Sequence, residues 1–75
     1  SDEIWAAIEE GYLIEGNATL EDAMPVFERT NRNFLAVVRM GKEGEPPEIL
    51  GALFQVDALK AYNRALAATA EEEHS

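Results

Sequence analysis

The apolar residues of this chain fall into short patterned segments separated by glycine, proline and asparagine punctuation. Ile4, Trp5 and Ile8 recur at helical spacing behind Ser1 and Asp2, either of which can cap a helix start, and Gly11 closes the segment. Tyr12-Leu13-Ile14 is a brief β-favouring run ended by Gly16-Asn17, which is turn chemistry, so it reads as a short strand. Thr19-Leu20-Glu21-Asp22 then opens a second helix: the hydroxyl can accept an orphaned amide, and the acidic first turn suits the helix dipole. Leu20, Ala23, Met24 and Phe27 line its apolar face. Pro25 falls inside that pattern and removes the bond to the Glu21 carbonyl. A kink or a loosened first turn is expected there, with the helix resuming to about Thr30.

After the polar Asn31-Arg32-Asn33, Phe34-Leu35-Ala36-Val37-Val38 is a continuous apolar run, the pattern of a strand covered on both faces. The stretch from Arg39 to Glu48 holds Gly41, Gly44, Pro46 and Pro47 and reads as a hairpin loop to a matching strand from Ile49 to Phe54. Gly51 within that strand predicts a bulge or a close backbone approach. Asp57 opens the longest helix, with Leu59, Tyr62, Asn63 and Leu66 as its inner stripe and an alanine-rich composition raising its propensity. Glu71, Glu72 and Glu73 oppose the dipole at its far end, so residues 69–75 are expected to fray as an acidic tail. The order helix–strand–helix–strand–strand–helix defines an α+β chain.

Length and charge narrow the function. Seventy-five residues make one domain, and a chain of this size hides only about 60% of its unfolded surface. With 47% apolar residues, it has more to cover than it can cover internally, which predicts an oligomer or a piece of a longer chain. Fifteen acidic against six basic residues give −9, which argues against nucleic acid as a partner. All six bases (Arg29, Arg32, Arg39, Lys42, Lys60, Arg64) lie between positions 29 and 64, so an anion would bind elements of that stretch.

No cysteine is present, which removes disulfides, zinc knuckles and thiol nucleophiles and favours a reducing compartment. No apolar run approaches the ~20 residues of a membrane span. Serine occurs only at the termini and the sole histidine is His74, so no Ser/His or Cys/His nucleophile is available and an enzyme is not expected. Glu71 and His74 would need ligands from other helices to hold a metal, and none is expected. The helix of Ile4, Trp5 and Ile8 suits either the domain's own sheet or a partner's surface.

From Tyr12 to about Leu66 the chain resembles a cystathionine-β-synthase (CBS) domain. The residues that carry the likeness are Thr19-Leu20-Glu21-Asp22-Ala23, Asn33-Phe34-Leu35-Ala36-Val37-Val38, and Leu50-Gly51-Ala52-Leu53-Phe54-Gln55-Val56-Asp57-Ala58-Leu59. The ending from Asp57 to Leu66 is most similar to the last CBS domain of bacterial chloride-channel-family proteins. The resemblance implies a β-α-β-β-α core over about residues 12–68, preceded here by a short N-terminal helix. It implies a non-catalytic regulatory domain, cytoplasmic and tethered to a membrane transport domain. It also implies pairing with a second CBS domain, either as a homodimer or with a sister domain.

The implied ligand is an adenine nucleotide (AMP, ADP or ATP), with no cofactor required. The resemblance would place adenine against Leu13, Ile14, Phe34 and Leu35, and ribose at Asp57 beside Gly51. Arg39 and Lys42 would reach phosphate from the loop. The chain departs from the family pattern at Phe54, which stands where a serine or threonine would bond a phosphate. Ala36 stands where proline is usual and Arg39 where an acid is usual. The alternative is a ligand-free dimerisation module. Plain core packing also accounts for the four apolar positions, and helix capping for Asp57.

Overall fold

The structure is a computed structural model that describes residues 2–74, with the side chains of Glu73 and His74 outside the description. Its elements are α1 (Asp2–Glu9), β1 (Leu13–Glu15), α2 (Leu20–Thr30), β2 (Phe34–Arg39), β3 (Glu48–Phe54) and α3 (Gln55–His74). The three strands form one sheet in the order β1-β2-β3, with β2 parallel to β1 and antiparallel to β3. The chain is therefore α+β, in the expected element order.

The continuous apolar run of β2 has the consequence its pattern demands: successive side chains enter opposite layers. On one face Leu35 joins Ala23 and Phe27 of α2 and Ala58 of α3 in a closed cluster, with Ile14 and Leu53 at its edge. On the other face Ala36 and Val38 meet Ala7 of α1, flanked by Ile4, Ile8, Leu13 and Phe34. Phe27, Leu35 and Val38 are the largest fully buried side chains. Each contributes about 1.5–3 kcal/mol through area removed from water.

Helix α2 is fixed at both ends. Its N-cap Thr19 accepts from the Asp22 amide at 3.2 Å, and Asp22 accepts from the Thr19 amide at 3.1 Å, a reciprocal capping box. At the other end Asn31 takes the left-handed conformation at φ 53° and its amide donates to the Phe27 carbonyl at 2.9 Å. Asparagine tolerates that region better than any β-branched residue. The helix runs unbroken through Pro25, whose exposed position leaves the Glu21 carbonyl to water.

Several expectations are corrected. β1 begins at Leu13, and Tyr12 instead spans the two core layers beneath the sheet's edge. α3 begins at Gln55, directly after β3, so Asp57 sits inside the first turn rather than opening the helix. The Gln55 amide donates to the Asn33 carbonyl at 2.8 Å, one rung beyond the Phe34–Phe54 pair, at the junction of β3 and α3. The inner stripe of α3 is Ala58, Ala61 and Tyr62; Leu59, Asn63 and Leu66 face outward. Ala58 is the α3 residue in the core beside Leu35, the helix otherwise packs mainly along α2, and the bulkier leucines are turned away.

Helix α3 includes residues 69–74, the segment expected to fray. Alanine propensity carries it through residue 70, and Thr69 Oγ1 donates back to the Ala65 carbonyl at 3.0 Å. Asp2 lies within α1, and capping by Ser1 and the fate of Ser75 fall outside the described residues. Gly51 adjoins a bulge: Val37 faces Gly51 while Val38 faces Ile49, leaving Leu50 unpaired. A Cβ there would meet nothing within 4 Å, so no close approach explains it.

Thr19→Ala removes one half of the capping box and is expected to lower unfolding free energy by about 1 kcal/mol in urea titration. Thr19→Asn should recover most of it.

Candidate functional site

The turn from α2 into β2 and the end of β3 meet the first turns of α1 around a cavity of about 520 Å³. Its walls are Glu3, Ile4 and Ala6 of α1, Arg32, Asn33 and Phe34, and Ala52 and Phe54 of β3. Strand register accounts for the aromatic wall: Phe34 is the cross-strand partner of Phe54, and their rings tilt at 40° with centroids 5.9 Å apart.

Arg32 supplies the positive charge. Its guanidinium carbon lies 4.9 Å from the Tyr12 ring centroid and 6.0 Å from that of Phe34, so two aromatic faces hold it. Its Nε is buried with no hydrogen-bond partner among the described residues. A buried, unpaired donor costs about 1–3 kcal/mol, so the stacking must offset a desolvation cost. A cavity of this size, with two phenyl rings and a fixed guanidinium at its wall, suits a ligand that carries a flat ring and an anionic group.

The sequence-based site residues are not brought together. Leu13 and Phe34 lie on the α1 face of the sheet, whereas Ile14 and Leu35 lie on the face covered by α2 and α3. Leu35 is fully buried in the core, and of the four only Phe34 lines the cavity. Gly51 is half-buried beside the bulge, and Asp57 is exposed in the first turn of α3.

Arg39 lines a different cavity of about 460 Å³ with Glu15, Gly16, Asn17 and Leu50. Its Nη1 is 2.9 Å from Glu48 Oε2 in an exposed ion pair. Lys42 is exposed in the loop between β2 and β3. Sequence reasoning overlooked Arg32, Asn33 and Ala52. The available signal was the nearness in sequence of a base, Arg32, to the aromatic Phe34 at the start of β2.

No protein-family model, no curated protein and no solved structure matches the chain.

Arg32→Ala should cost about 1–2 kcal/mol of stability by uncovering the Tyr12 and Phe34 rings. Glu48→Gln, which breaks only a solvated pair, should change stability by less than about 0.5 kcal/mol in the same urea titration.

Proposed function

We propose that this chain is a non-catalytic regulatory domain of CBS type that acts as one half of a pair, in the cytosolic part of a chloride channel or transporter. The observation that carries the reading is the amount of bulky apolar surface left uncovered: Trp5, Leu50, Phe54, Val56, Leu59 and Leu66 are all exposed. A lone domain gains nothing from presenting these to water, whereas a paired one buries them. The element order and the parallel–antiparallel sheet support the CBS likeness. Among the described residues no helix is long and apolar enough to cross a membrane, so membrane attachment would come from the parent chain.

Regulation would work through differential affinity. A ligand that favours one packing of the pair shifts the attached machinery by the difference in its binding free energy to the two states. An adenine nucleotide is the proposed ligand, with its base against Phe34 and Phe54 and a phosphate toward Arg32. Asp57 and Gly51 remain the proposed ribose contacts, and Arg39 and Lys42 secondary phosphate contacts in the assembled pair. The competing reading, a ligand-free dimerisation module, is favoured by Phe54, whose ring fills the place of the family's hydroxyl.

Titration of the purified chain with AMP, ADP and ATP separates the two. Nucleotide binding predicts about 2.7 kcal/mol of stabilisation at a hundredfold excess over the dissociation constant, read as a rise in melting temperature with a change in Trp5 fluorescence. No response at millimolar nucleotide leaves the ligand-free module. Phe54→Thr is expected to weaken nucleotide binding by removing one of the two rings against the base, and to give up the ring contact with Phe34, worth about 0.5–1.5 kcal/mol of stability.

A further inference from the structure

The cavity beneath α1 has walls of two kinds. Arg32, Phe34 and Phe54 belong to the sheet and the turn that enters it, whereas Glu3, Ile4 and Ala6 belong to α1. The first set is anchored: Phe34 and Phe54 pair across the strands, and the Arg32 guanidinium lies over the Tyr12 and Phe34 rings.

The second set is held more lightly. Helix α1 has eight residues, fewer than a helix needs to persist by itself in water, so it is helical because it is docked. The docking rests on Ala7, fully buried against Ala36 and Val38, with Ile4 and Ile8 half-buried beside it. Among the described residues no side-chain hydrogen bond or ion pair ties α1 to the rest of the domain. Glu9 and Glu10 place negative charge at its C-terminal end, where the helix dipole disfavours it. Just beyond, Gly11 takes φ 84° with open space around it, and Tyr12 is fixed to β2 by the Ala36 amide at 3.1 Å. A free joint thus separates a short helix from a pinned residue.

We infer that α1 is a hinged strap, which swings off the sheet as a unit about Glu10 and Gly11 and is held shut by a molecule in the cavity. The inference rests on the nucleotide reading above for that molecule, and it names the two states between which the molecule selects. A ligand seated against Phe34, Phe54 and Arg32 touches α1 as well only when the strap is docked. It binds the open state without those contacts, so occupancy shifts the population toward the closed one. Opening uncovers Ala36 and Val38, which keeps the open state a minor one.

Native-state hydrogen exchange on the whole chain, followed by NMR at urea concentrations below the unfolding transition, tests both halves. The amides of residues 6–10, with those of Gly11 and Tyr12 that donate back to Ile8 and Ala7, should share one protection value. That value should lie at least about tenfold below that of the β2 amides, with a shallower dependence on urea, because opening exposes less surface than unfolding. With AMP, ADP or ATP at a hundredfold excess over the dissociation constant, α1 protection should rise by at least about tenfold, alongside that of β2.

Amides of α1 that match β2 in both protection and urea dependence would overturn the strap, since the helix would then leave only when the domain unfolds. Protection graded from the N-terminal end, with no common value, would replace it with simple fraying. If nucleotide protects β2 while α1 exchanges as before, the ligand binds without the strap, and the coupling fails while the nucleotide reading survives. If nucleotide protects neither, that reading falls and takes the closing of the strap with it; the shared opening is still decided by the exchange of the free chain.

Discussion

Burial of β2 on both of its faces is the constraint from which the rest of the molecule follows. Leu35 is sealed by α2 and α3, and Ala36 and Val38 by α1, so helices must lie on each side of a sheet only three strands wide. With so few residues, that double cover is possible only where helices come close. The contact points are accordingly small: Ala7, Ala23 and Ala58 are all fully buried. Dense packing at these points is reached without large side chains, and the larger ones on α3 lie outside the core.

That economy explains which parts of the fold could be read from the residues. All six elements were legible because each has its own period and its own punctuation, and the capping of α2 was legible from Thr19 and Asp22 alone. The orientation of α3 was not. Leu59, Tyr62, Asn63 and Leu66 satisfy helical spacing as well as Ala58, Ala61 and Tyr62 do, and choosing leucine over alanine as the inward residue is the usual hydrophobic preference. Packing along α2, with Ala58 as the residue that reaches the core, overrode it. The bond from the Gln55 amide to the Asn33 carbonyl, at the junction of β3 and α3, was hidden because it joins residues far apart in sequence.

The candidate site was legible only in its aromatic part. Phe34 and Phe54 follow from pairing the two long strands, but strand alternation sends Leu13 and Ile14, and likewise Phe34 and Leu35, to opposite layers. Leu13, Ile14, Phe34 and Leu35 are therefore divided between the two layers. Arg32 was hidden within polar punctuation, and its importance emerges only when Tyr12, from before β1, is placed under its guanidinium. The charge count placed all six bases between positions 29 and 64, and of these Arg32 has its guanidinium over the Tyr12 and Phe34 rings.

The unpaired Leu50 has a bearing on how the molecule behaves in concentrated solution. β3 is a border strand whose outer amides and carbonyls are open to addition by any extended peptide. The extra residue bends the strand and breaks the even run of donors and acceptors midway along it. An incoming strand can match only a few rungs before falling out of step, so growth into fibrils through that edge is discouraged by backbone geometry.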